Sequence, residues 1–180
     1  AKSGKCIRFA VEDLRVFVGR NSTGVRGVKL QGDDEVISMS ILKHCTASVE
    51  QRDEYLRVSN AMKRMETESG GDACISPDQT GLLNLLDTAK FEEMRKEEEF
   101  ILTVTVTGYG KRTSSYEYRV TGRGGQGIAN MEMSPRNKEV VSSFPIEDGK
   151  EIMMVTDGGK LIRMPVDDIR VAGRKTQGVI

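Results

Sequence analysis

The sequence predicts an all-β chain of propeller-like blades, two of them complete and a third in part, with a pair of α-helices inserted between the first two. Three observations carry this. Short runs rich in β-branched residues, separated by Gly, Asp and Pro, fill residues 1–45 and 100–180. Motifs in those two stretches recur with a unit of roughly 50 residues, the length of a multi-stranded blade. Residues 46–99 instead carry apolar side chains at helical spacing.

In chain order, Cys6-Ile7-Arg8-Phe9 and Val36-Ile37-Ser38-Met39-Ser40-Ile41 are the strand-like runs before the insertion. Ser48-Val49-Glu50-Gln51 is a capping box, and it opens a stretch free of Gly and Pro that runs to Glu68. Tyr55, Leu56, Val58, Met62 and Met65 supply its apolar face, and Gly70-Gly71 ends it. Ser76-Pro77-Asp78-Gln79 repeats the start signal, with Pro at the first helical position. Leu82, Leu83, Leu85, Leu86, Ala89, Phe91 and Met94 follow as a second helix. Strand-like runs then resume at Ile101–Val106, Tyr116–Val120, Val140–Phe144, Ile152–Val155 and Leu161–Met164. Asp157-Gly158-Gly159 marks a tight hairpin between the last two. The domains expected are therefore a blade over 1–45, a helical insertion over 46–99, and further blades over 100–180.

Three elements repeat. Gly4-Lys5, Gly110-Lys111 and Gly159-Lys160 each precede a strand. Arg20-Asn21-Ser22-Thr23-Gly24-Val25-Arg26-Gly27, Gly122-Arg123-Gly124-Gly125-Gln126-Gly127 and Arg174-Lys175-Thr176-Gln177-Gly178 form a second set. On this reading Gly27 matches Gly127, 100 residues on. Glu35-Val36-Ile37-Ser38 matches Glu139-Val140-Val141-Ser142, and Asp167-Asp168 matches Glu12-Asp13 as a structural turn.

The charges segregate along the chain. Its 27 basic and 27 acidic residues cancel. Residues 46–99 nevertheless hold 13 acids and 7 bases, a net −6, which leaves +6 on the rest. No apolar run is long enough to span a membrane, and no signal peptide is visible. Three cysteines (Cys6, Cys45, Cys74) without a C-x-x-C pair speak against disulfides and zinc and fit a reducing cytosol. A single histidine, His44, leaves little scope for His-based catalysis. The absence of an initiator Met at Ala1 reads as an excised piece of a longer chain.

The Gly122–Gly127 run formally matches a dinucleotide fingerprint, but Ile128–Pro135 is too short for the helix that fingerprint needs. It reads instead as a tight loop at a blade rim, open enough to bring backbone N–H groups to a phosphate. Lys5, Lys111 and Lys160 recur in one turn and Arg20, Arg123 and Arg174 in the other. Matching positions in a radial repeat share a rim, so these bases form a periodic positive stripe suited to a bent DNA backbone. With Arg26, Arg112, Arg163 and Lys175, and with Gly124, Gly125 and Gly127 shaping the loop, they make up the predicted DNA-binding set. No catalytic residue, metal or cofactor is expected.

Two segments carry a resemblance: Glu151-Ile-Met-Met-Val-Thr-Asp-Gly-Gly-Lys-Leu-Ile-Arg163 and Val166-Asp-Asp-Ile-Arg-Val-Ala-Gly-Arg-Lys-Thr-Gln-Gly-Val179. With the matching runs over 1–45 and 100–180, they resemble the C-terminal domains of the A subunits of bacterial DNA gyrases. The resemblance implies a β-pinwheel whose neighbouring blades exchange a strand. It also implies a non-catalytic module that binds and bends double-stranded DNA within an ATP-dependent supercoiling enzyme in the cytoplasm. The partners it implies are the remainder of the gyrase A subunit together with the gyrase B subunit, with no membrane. That family's hallmark box is Gln-Arg-Gly-Gly-Lys-Gly. Gly122–Gly127 departs from it at the first and fifth positions and resembles a degenerate copy from a later blade. The alternatives are the equivalent domain of topoisomerase IV, and a propeller-like protein-interaction scaffold that docks through its acidic helices.

Overall fold

The computed structural model describes residues 1–69 and 83–180, and the side chains of 1–64 and 83–180. Cys74 and the Gly70-Gly71 and Ser76–Gln79 signals lie outside these residues. The chain divides into two compact units, Ala1–Leu42 with Phe100–Ile180, and Lys43–Glu99.

The first unit is built from short antiparallel strands: β1 (Lys5–Cys6), β2 (Phe100–Thr105), β3 (Gly110–Ser114), β4 (Ile128–Ala129), β5 (Val140–Ile146), β6 (Glu151–Val155) and β7 (Leu161–Pro165). β2 lies between β3 and β5, and β6 pairs with β7. Both faces of β2 are covered, so Ile101, Leu102, Thr103 and Thr105 are all buried. A buried threonine in a central strand must satisfy its hydroxyl. Thr103 Oγ1 lies 3.1 Å from Ser143 Oγ and accepts from Asn130 Nδ2 at 3.0 Å. Asn130 Oδ1 in turn accepts from the Tyr118 hydroxyl at 2.6 Å. Tyr116 and Tyr118 are core residues, but Tyr116 belongs to a 3-10 turn, Ser115–Glu117, and the run 116–120 is not a strand.

Adjacent repeats pair across their junctions. β1, from the first repeat, pairs with β4 of the second, with Cys6 opposite Ile128. Gly110 of β3 bridges Val179 of the third repeat in the same manner. An arginine reinforces each junction. Arg8 donates to the carbonyls of Ser115 (2.9 Å) and Tyr118 (3.4 Å). Arg112 donates to the carbonyls of Ile169 (2.6 Å) and Asp167 (3.2 Å). The 3-10 turns Val11–Asp13, Ser115–Glu117 and Val166–Asp168 occupy equivalent places, as the acidic pairs at 12–13 and 167–168 suggest.

The turn register differs from the sequence reading. The left-handed turn glycines are Gly4, Gly108 and Gly159, with φ of 79°, 85° and 75°. Gly110 is already in β3, so the equivalents of Lys5 and Lys160 are Tyr109 and not Lys111. In the second set, the left-handed glycines four residues after the arginine are Gly24, Gly127 and Gly178. Gly24 therefore matches Gly127, where the sequence suggested Gly27. The expected strand Val36–Ile41 forms no ladder among the described residues. The Lys2 amide donates to the Glu35 carbonyl just as Val106 donates to Glu139. Beyond that pair, residues 36–41 have, among the described residues, no strand partner comparable to the one β2 gives β5.

In the second unit, α1 spans Val49–Ser69 and α2 spans Thr88–Glu97. The capping box forms in both directions: the Gln51 amide donates to Ser48 Oγ at 3.2 Å and the Ser48 amide to Gln51 Oε1 at 3.0 Å. α2 starts later than the leucine run predicts, because Asp87 caps it by accepting the Lys90 amide at 2.7 Å. Leu83–Leu86 are non-helical. The buried Glu54 carboxylate takes the Asn84 and Leu85 amides there, the latter at 2.8 Å. Tyr55 and Phe91 stack with centroids 4.8 Å apart, and Val58, Met62, Leu86 and Met94 are buried in the same unit. No helix among the described residues is long and apolar enough to cross a membrane.

Candidate nucleic-acid interface

Three arginine-led loops, at 20–27, 122–127 and 173–178, are joined edge to edge by repeated hydrogen bonds. The Lys29 amide donates to Gly125 O at 2.8 Å, and its equivalent Glu132 donates to Thr176 O at 3.1 Å. Arg123 Nη1 reaches Arg26 O at 3.2 Å, and Arg174 Nη1 reaches the equivalent Ala129 carbonyl. Arg123 Nε also donates to Asp13 O at 3.0 Å. These bonds fix each guanidinium against the preceding repeat while leaving it at the surface. Arg20, Arg26, Arg123 and Lys175 are exposed, and Arg174 is half-buried. Arg123 and Arg174 are thus preorganised, and Arg20, Arg26 and Lys175 add exposed positive charge on the same set of loops.

The glycines serve the junctions. A Cβ on Gly127 would lie 2.4 Å from Cys6 O, in the β1–β4 pairing, and one on Gly178 would lie 2.9 Å from Gly110 O. The Gly124 amide is already donated to Gly27 O at 2.6 Å, so it does not face outward as a phosphate donor. Gly125 lends its carbonyl to Lys29 and lies close to Ile7.

Two of the predicted bases are not on the rim. Lys111 is fully buried, and its ammonium donates to the carbonyls of Gly173, Arg174 and Thr176 at 2.9, 2.6 and 3.1 Å. Burial pushes its pKa down to about 8. Arg112 is also buried, held by carbonyls and by Asp148 Oδ1 at 2.8 Å. Both lie inside β3, three and four residues after the turn glycine Gly108, and there their side chains meet carbonyls of the next repeat. Lys5 is half-buried with Nζ 3.2 Å from Gln31 Oε1. Lys160 is exposed, and Arg163 is exposed with Nε bonded to Glu151 at 2.8 Å on the β6–β7 hairpin.

Sequence reasoning missed a second matched set. Arg15, Arg119 and Arg170 each follow a 3-10 turn, precede a valine, and are exposed. The signal was present as Leu14-Arg15-Val16, Tyr118-Arg119-Val120 and Ile169-Arg170-Val171, a tripeptide repeated upstream of every arginine-led loop.

A family model described as DNA gyrase C-terminal domain, beta-propeller, matches residues 2–43, 99–147 and 150–180. The DNA gyrase A subunit of Granulibacter bethesdensis is 49% identical over 188 residues, an alignment that takes in 99% of this chain and 20% of that protein. Its counterpart from Rickettsia bellii is 47% identical over 99% of this chain and 19% of its own length. That from Salmonella typhimurium is 34% identical over 99% and 14%. The chain therefore spans about a fifth of the first of these relatives. The family model leaves out residues 44–98, whereas these relatives align across them. The crystal structure of the C-terminal domain of DNA topoisomerase IV has a similar fold. Its TM-score is 0.61 at 17% identity, covering 99% of this chain and 39% of that one. With the model matching the repeats and their junctions, this chain belongs to the family of DNA gyrase C-terminal domains, and its blades are those of that family's β-propeller.

Proposed function

We propose that the chain binds double-stranded DNA without regard to sequence along the row of Arg20, Arg26, Arg123, Arg174 and Lys175, and bends it around the repeats. Arg15, Arg119 and Arg170 extend the contact, and Lys5, Lys160 and Arg163 lie at its margins. The observation that carries the reading is the chain of hydrogen bonds linking three arginine-led loops. A guanidinium already anchored by one edge loses little side-chain entropy when its other edge meets a phosphate. Successive loops then present charge at a repeating interval, which suits a backbone that curves with the protein. Junction residues such as Lys111 and Arg112 set the loop geometry and make no phosphate contact.

In this reading the module acts in the cytoplasm as part of the gyrase A protein, in complex with the gyrase B protein. It holds a bent duplex so that strand passage yields negative supercoils, and it performs no chemistry itself. The test is affinity for two duplexes of unrelated sequence. Arg123→Ala and Arg174→Ala should weaken both by similar factors, since phosphate contacts carry no base information. A loss confined to one sequence would overturn the proposal.

A further inference from the structure

Lys111 stands where the preceding repeat places Ile7, three residues after the turn glycine in each case (Gly108 and Gly4). Ile7 is an apolar side chain beside its neighbouring loop, where a Cβ added to Gly125 would meet its Cδ1 at 3.8 Å. Lys111 meets the equivalent loop through charge. Its Nζ is surrounded by Gly173 O, Arg174 O and Thr176 O, with Thr176 Oγ1 at 3.3 Å. Three carbonyls from four consecutive residues converge on that one atom. Their dipoles repel one another unless a cation sits between them. The loop so shaped carries Arg174 and Lys175 and is tied down further by the Glu117 carboxylate, which accepts the Arg174 amide at 2.6 Å.

We propose that Lys111 is a positioning residue for the phosphate contacts of Arg174 and Lys175, its ammonium locking the turn at 173–176 from the preceding repeat. This rests on the DNA reading above for its ligand, a nucleic-acid phosphate, and on the geometry alone for the locking. The groups facing the ammonium are Glu117, Arg174 and Cys6. Burial raises the Cys6 thiol to about 11, so it stays neutral up to pH 9.

The first test is a double-mutant cycle on DNA affinity. Lys111→Met and Arg174→Ala should each weaken binding by roughly threefold to tenfold, the loss of one or two phosphate contacts. Together they should weaken it no more than Lys111→Met alone. Arg123→Ala, on the other loop, should keep its full effect in the Lys111→Met background. Additive losses for Lys111→Met and Arg174→Ala would overturn the positioning role. If Arg123→Ala and Arg174→Ala both leave affinity unchanged, the DNA reading falls and the phosphate part of this proposal falls with it. The second test reads the loop without DNA. In Lys111→Met, backbone amides of residues 173–178 should exchange with solvent faster than in the parent, and those of 122–127 should not. Unchanged exchange at 173–178 would overturn the locking.

Discussion

Replacing Gly127 by Ala perturbs the repeat junction with a single methyl group. Gly127 has φ of 76°. An L-residue held in that left-handed region costs about 1–2 kcal/mol. The new Cβ would also stand 2.4 Å from Cys6 O and 3.0 Å from Cys6 C. Those are backbone atoms in the β1–β4 pairing, so relief requires the two strands to part; overpacking of this kind costs about 1–3 kcal/mol. Alanine restricts the unfolded chain and returns about 0.4–1 kcal/mol. The net expectation is a destabilisation of about 1–4.5 kcal/mol, centred on about 3 kcal/mol. Gly24→Ala is the control: its φ is 73°, but nothing lies within 4 Å of its Cβ. It should cost about 1 kcal/mol, the backbone contribution alone. Gly178→Ala, 2.9 Å from Gly110 O, should fall between the two. Urea unfolding at constant m reads all three. If Gly127→Ala and Gly24→Ala shift the midpoint equally, the glycine is not there for close approach between repeats.

Three further outcomes follow from particular contacts. Lys111 has a folded pKa of about 8, below that of an unfolded lysine near 10.5. Above pH 8 the unfolded chain thus binds more protons, and stability rises with pH, up to about pH 9 where the raised pKa of Cys6 begins to act in the opposite sense. Lys111→Met should remove that rise in urea unfolding at pH 8.0 and 9.0; a rise that persists would assign it to another group. Glu54→Gln leaves one of the Asn84 and Leu85 amides poorly matched, and should destabilise the helical unit by about 1–3 kcal/mol in helix-monitored thermal unfolding. Replacing residues 43–99 by a short Gly-Ser loop should leave hydrogen-exchange protection of the β2 amides within about 1 kcal/mol of the parent, because the β3–β2–β5 ladder lies within the other unit.

Much of the blade architecture was legible because each repeat writes its punctuation into sequence. Asp157-Gly158-Gly159 sits at the β6–β7 turn, where the Thr156 amide donates to Lys160 O at 2.8 Å. Ser48 and Gln51 cap α1 through the bonds their spacing calls for. What failed to read was register. Gly110-Lys111 looks like Gly4-Lys5, yet the turn falls at Gly108, and a shift of two residues carries Lys111 from the surface into the junction. Residue identity could not reveal this, because a lysine that satisfies three carbonyls has the same letter as one in water. Val36–Ile41 failed for a different reason. A strand is defined by its partner, and the run has the propensity without the ladder. The leucine run before α2 was misread because Asp87 provides a stronger start than the periodicity upstream of it.

The most direct test of the phosphate-binding row is the salt dependence of DNA affinity for the parent chain and for a variant with Arg20, Arg123 and Arg174 all changed to Ala. Each phosphate neutralised contributes about −0.9 to the slope of log affinity against log salt. The variant's slope should be shallower by about 2.7, equally on duplexes of unrelated sequence. Parallel slopes for parent and variant would contradict the phosphate-binding row, because they would place the DNA contact somewhere other than on the arginine-led loops.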